Sequence, residues 1–145
     1  MARPERYVVT SSPEPLIVPS VERDPTYLAY LLLRMGYVIL PIVAGLDKFA
    51  HLLVDWDQYL SPRVAAMVGV APHTFMSAVG VVEIVAGLLV AFAPRIGGWV
   101  VAAWLVGIIV NLLLLPGYYD VALRDVGLSV GAVVLALLAR HVDRA

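Results

Sequence analysis

The chain has no cysteine. That absence excludes disulfides, a dithiol relay, thiolate zinc sites and cysteine-ligated iron-sulfur clusters within it, so any redox chemistry has to use a bound or borrowed cofactor. Charge is scarce as well. Only 14% of the 145 residues are Asp, Glu, Lys or Arg, against about a quarter in a soluble domain. The formal net charge of −1 offers no positive excess for nucleic acid or for a polybasic lipid patch. The N-terminus lacks the early apolar core and small-residue cleavage site of a signal peptide, and carries Pro4, Pro13, Pro15, Pro19 and Pro25 instead, so the mature protein is expected to keep its tail. No nucleophile elbow, phosphate loop or pair of histidines at bundle depth is present, which argues against those hydrolases, nucleotide sites and membrane haem.

What the chain has is apolar length. It is 61% hydrophobic with mean hydropathy +0.90, and four stretches, residues 27–49, 74–93, 96–116 and 121–139, approach the roughly 20 apolar residues that cross a hydrocarbon core of about 30 Å. The reading is an all-α bundle of four transmembrane helices over residues 27–140, between a Pro-rich tail (1–26) and a short tail (141–145). Arg3, Arg6, Arg23, Arg95, Arg140 and Arg144 fall on one side, and Lys48, Arg63 and Arg124 on the other. By the positive-inside rule both termini are cytoplasmic. The tail reads as an extended segment, or, through its islands Tyr7-Val8-Val9 and Leu16-Ile17-Val18, as one that lies against a partner protein. The connection after span one, with Trp56 and Tyr59, reads as an amphipathic outer loop at headgroup level that could also cap the bundle.

Glu83 is the one charged residue in the run from Thr74 to Ala93. A carboxylate near the bilayer midplane is costly unless it is paired or faces a polar cavity. In span one, Arg34, Val38, Pro41, Gly45 and Lys48 share a face, with Pro41 expected to kink the helix. Counting about 1.5 Å per residue puts Arg34 about 10 Å above the inner boundary and Glu83 about 14 Å below the outer one, a gap an arginine can cover. An Arg34–Glu83 ion pair is therefore expected, either as a clamp that fixes helix register or as a ligand-facing, proton-bearing carboxylate.

A second polar cluster gathers at the outer rim: Asp47, Lys48, His51, Asn111, Asp120, Arg124 and Asp125. Asp120 suits a helix start, and crosswise pairs Lys48–Asp125 and Asp47–Arg124 would lock the first and last spans together, with Asn111 completing the layer. His51 and His73, with Asp47 or Asp120 nearby, lack a metal-ligand spacing, so no metal site is expected. Gly80, Gly87, Gly107, Gly127 and Gly131 are read as helix-packing positions.

On these residues the chain resembles the DoxX-like family of small four-helix bacterial membrane proteins. The likeness lies in LLLRMGYVILPIVAGLDKF of the first span, VGVVEIVAGLLVAF of the second and YYDVALRDVGLSVGAVVLALL leading into the last, and covers about residues 27–140. The resemblance implies the bacterial plasma membrane and an association with membrane oxidoreductase systems, including a thiosulfate:quinone oxidoreductase small subunit. Three functions stay open. The first is an accessory subunit, with no intrinsic cofactor, that anchors or stabilises a larger redox-active complex, using its tail and outer loop to meet other subunits among the membrane lipids. The second is a quinone-interacting component with Glu83 handling protons, to which Tyr37 and Trp104 would contribute aromatic walls. The third is a small transporter or channel lined by Arg34 and Glu83, although the two halves show no inverted repeat.

Overall fold

The computed structural model describes residues 24–143. The Pro-rich tail up to residue 23, with its two apolar islands, and Arg144 lie outside the described residues. Five helices follow in order: α1 (Pro25–Ala50), α2 (Pro62–Val68), α3 (Pro72–Phe92), α4 (Pro94–Leu113) and α5 (Tyr119–Val142), with a 3-10 turn at Trp56–Tyr59 before α2. The described residues contain no strand. α1, α3, α4 and α5 are each long and apolar enough to cross a membrane, so this is a multi-pass, four-helix membrane bundle.

Proline sets the helix starts. Pro25, Pro62, Pro72 and Pro94 all lie in the first turn of a helix, where the missing N–H would have had no partner and the fixed φ already suits the helix. Asp24 adds a side-chain cap by accepting from the Thr26 amide at 2.9 Å. The first three spans thus begin about two residues before their apolar runs do. Pro41 lies inside α1, which continues through it without a break.

α1 packs along α3 and α4 along α5, while the α3–α4 and α1–α5 seams are slighter. The close seams run on small residues. A methyl added to Gly45 would lie 2.5 Å from the Gly80 carbonyl oxygen, and one on Gly87 would lie 2.7 Å from Ile42. Gly97 and Gly98 do the same for α4, against Val90 of α3 and Ala132 of α5. Among the described residues, a methyl at Gly107 or Gly127, expected at packed faces, would meet nothing within 4 Å, and one at Gly131 would meet the Tyr37 hydroxyl rather than a neighbouring backbone. The α4–α5 contact uses Gly98 with Ala132 and Ala136 in their place.

The interior is uneven along the bundle axis. Toward the termini it is filled by Tyr30, Ala86, Val90, Val101, Ala102, Ala132, Leu135 and Ala139. Large aliphatic side chains such as Leu32, Leu40, Val85 and Leu123 are exposed, as expected where the surroundings are lipid tails and interhelical contact is left to small residues. Toward the loops the core gives way to a cavity.

Candidate functional site

The partner of Glu83 is Lys48. Their Nζ–Oε2 separation is 2.6 Å, and the two side chains are 3% and 12% exposed. The expected Arg34–Glu83 pair is not formed, and the reason is register. Gly45 meets Gly80 and Ile84, and Gly87 meets Ile42 and Val38, so in antiparallel α1 and α3 Lys48 stands about one turn from Glu83. Arg34 falls beside the last turn of α3, roughly 12 Å further along at about 1.5 Å per residue. There its guanidinium donates to the Ala91 carbonyl and to the Tyr30 hydroxyl. Ala91 is in the last turn of α3, where carbonyls lack helical partners and the helix dipole is negative, so a cation is well placed.

Lys48 also meets an aromatic face, its Nζ lying 3.7 Å from the Trp56 ring centroid, a cation–π contact strengthened by exclusion of water. The edge of the same indole donates to Asp47 at 2.7 Å. Asp47 accepts in addition from the Leu52 and Leu53 amides at 2.9 and 3.1 Å. A chain of contacts therefore runs Glu83–Lys48–Trp56–Asp47 and fastens the 3-10 turn over the end of α1. Asp47 is the anchor of this turn and not a partner of Arg124.

The other rim residues separate into different tasks. Asn111 donates to the Tyr59 carbonyl at 2.7 Å and accepts from the Ser61 amide at 3.0 Å, stitching the loop to α4. Arg124 pairs with Asp120 at 3.4 Å on the surface of α5, both side chains well exposed. Asp125 is half-buried and makes no ion pair or side-chain hydrogen bond among the described residues, so the expected Lys48–Asp125 and Asp47–Arg124 pairs are both absent there. His51 and His73 come together as a stack with centroids 5.1 Å apart, next to Asp57 rather than Asp47 or Asp120.

Lys48, Glu83, Trp56, Asn111, Arg124 and Asp125 line a cavity of about 650 Å³ whose walls are largely apolar, whereas Asp47, Asp120, His51 and His73 lie off it. Ala44 and Leu40 of α1, Met76 and Val79 of α3, Leu105 and Ile108 of α4, and Leu128 of α5 make the sides, and Trp56 and Tyr59 the roof. Tyr37 closes the floor by donating to the Leu128 carbonyl, tying α1 to α5. Its polar lining comprises Lys48 and Glu83, Asp125, Arg124, Asn111 and the indole of Trp104. The Trp104 N–H is buried without an acceptor among the described residues, an arrangement that leaves a desolvated donor unsatisfied. Leu40 of α1, Val110 of α4 and Leu128 of α5 line the cavity and are exposed as well, so its wall reaches the outer surface of the bundle. Below Tyr37 the Ala- and Leu-filled core continues, and the space ends as a pocket rather than a conduit.

A scan against protein-family models and searches of curated proteins and of solved structures find no match to this chain. Function is therefore read from the site itself.

Glu83 and the cavity aromatics Tyr37 and Trp104 were legible in the sequence. Trp56 as the link between Lys48 and Asp47 was not, because aromatic residues in a loop carry no signal of what they cover. Gly45, Gly97 and Gly98 carry the close helix approaches alongside Gly80 and Gly87. The paired glycines just after Pro94 are the signal that could have located the α4 crossing.

Proposed function

We propose that the chain is a quinone-interacting membrane subunit, holding a lipid-soluble molecule with an apolar body and a carbonyl or hydroxyl head in the cavity between the α1/α3 and α4/α5 pairs. The observation that carries this is the cavity's composition: apolar walls that reach the outer surface, and in the same lining a Trp104 N–H without an acceptor among the described residues, the Lys48–Glu83 pair and Asp125. Ligand pockets for small molecules have about this volume and this sparse, convergent polarity. A quinone carbonyl matches the free indole donor, and Glu83 and Asp125 are carboxylates within reach of a head group that exchanges protons. A cysteine-free chain has no thiol couple of its own, so electrons pass to or from a redox centre on a partner protein. This keeps the chain a subunit of a larger oxidoreductase assembly, consistent with its DoxX-like resemblance. The arginine excess on the side of the termini supports a plasma-membrane orientation with both ends in the cytoplasm.

Two of the three tryptophans, Trp56 and Trp104, line the cavity, which supplies a direct readout. Titrating the purified protein in nanodiscs with a short-chain quinone should quench tryptophan fluorescence to a plateau. Gly107→Phe, placing a ring at a cavity-lining position with nothing within 4 Å, should remove the plateau without lowering the melting midpoint. Quenching that rises linearly with quinone in both proteins would be partitioning into lipid, and would end the proposal. Purification in mild detergent, followed by identification of co-purifying redox proteins, tests the subunit half separately.

A further inference from the structure

We infer that His51, Asp57 and His73 form a binding site for a divalent transition-metal ion of the zinc class on the loop side of the bundle. One ligand atom from each lies within 4.8 Å of the others. His73 Nδ1 is 3.8 Å from Asp57 Oδ2, and the two imidazoles are stacked. Metal bonds of about 2.0–2.2 Å place tetrahedral ligand atoms roughly 3.3–3.5 Å apart, so side-chain rotations of about 1 Å gather this set around an ion. Two imidazoles and a carboxylate are the donors that suit zinc, cobalt or nickel, with water in the remaining position.

No hydrogen bond among the described residues joins these three side chains. At 3.8 Å the His73–Asp57 approach exceeds hydrogen-bond length. The other carboxylate oxygen, Asp57 Oδ1, is buried with no hydrogen-bond partner among the described residues, and buried acceptors are normally satisfied. His51 is the one non-glycine residue among those described with positive φ, at 52°. This left-handed turn is the C-cap of α1, with the His51 amide donating to the Asp47 carbonyl at 2.7 Å, and it carries the His51 side chain off the helix end. The three ligands come from three segments: the end of α1, the 3-10 turn and the first turn of α3. An ion here would cross-link the roof of the cavity to the two helices beside it. The site stands on these residues alone and is independent of what occupies the cavity.

The test uses untagged full-length protein in detergent, stripped with a chelator and titrated with Zn²⁺ by calorimetry, with Co²⁺ absorption reporting coordination. Saturable uptake of a single ion per chain is expected, together with a higher melting midpoint. His73→Gln and Asp57→Asn should each weaken binding roughly tenfold or more, and His141→Gln, at the opposite end of the bundle, should leave it unchanged. The His73 side chain is 62% exposed, so its replacement tests ligation rather than folding. Absence of saturable uptake would overturn the site, as would equal affinity in the wild type, His51→Gln and His73→Gln, which would locate the ion elsewhere.

Discussion

Lys48 is the only lysine in the chain, and it forms the most buried ion pair among the described residues. Removing one member of such a pair strands the other charge in a low-dielectric core, at a cost of about 3–5 kcal/mol, whereas replacing both with apolar residues is often nearly neutral. Glu83→Gln should therefore destabilise the bundle by about that amount, and Lys48→Met with Glu83→Met together should cost less than either alone, as read from denaturation midpoints in detergent. Penalties that simply add would show that the two side chains do not act as a pair. Arg34→Gln should cost about 1 kcal/mol for its lost hydrogen bonds and should add independently to Glu83→Gln, since the sites are not in contact. A lone charge in an apolar run was enough to single out Glu83. Its partner depended on how far α3 slides along α1, which residue counting from assumed membrane boundaries cannot supply, and which Gly45, Gly80 and Gly87 determine by permitting contact at one register.

At the scale of the helices, glycine positions divide into those that seat a neighbour and those that do not. Gly45→Ala should push α1 from α3, costing roughly 1–3 kcal/mol as overpacking does, and should loosen the Lys48–Glu83 contact one turn away. Gly127→Ala, with nothing within 4 Å, should be neutral or stabilising by up to about 1 kcal/mol, because alanine favours a helix interior. Thermal midpoints of the two variants measured side by side decide this, and equal effects would refute the distinction. Helix number and type were plain from apolar length, whereas the small-residue spacing at Gly127 and Gly131 misled. Such spacing says that a close approach is possible, but not that another helix is there to make it. The loop was harder to read, since its order comes from Asp47, which accepts from amides five and six residues on, and from Asn111, which binds backbone groups about fifty residues back along the chain.

Across the whole molecule, packing density is divided between a filled end and a hollow one. Few buried contacts mean low local stability and faster amide exchange. Backbone amides of residues 105–112, beside the cavity, should exchange faster than those of residues 132–139 in the filled core, and a bound quinone should slow the former selectively. Hydrogen exchange followed by mass spectrometry measures both, and uniform protection along α4 and α5 would contradict the division. That a charge lay inside the bundle was evident from composition; that a cavity lay beside it was not, because an empty volume is fixed by how two helix pairs diverge and leaves no residue of its own in the chain.

The single residue Ala93 ends α3 and begins α4, with Gly97 pressed against Val90 just beyond it. So short an elbow forbids the two helix pairs from sliding past each other, and leaves them to pivot. So hinged, the bundle would work as a clothes peg, with its spring at the terminal side, its jaws at the loop side, and Asn111, bonded across to Tyr59 and Ser61 of the loop, as the catch between them. A guest too bulky for the existing opening would enter by prising the jaws wider, and the leverage needed would be set by the catch rather than by the alanine-packed spring.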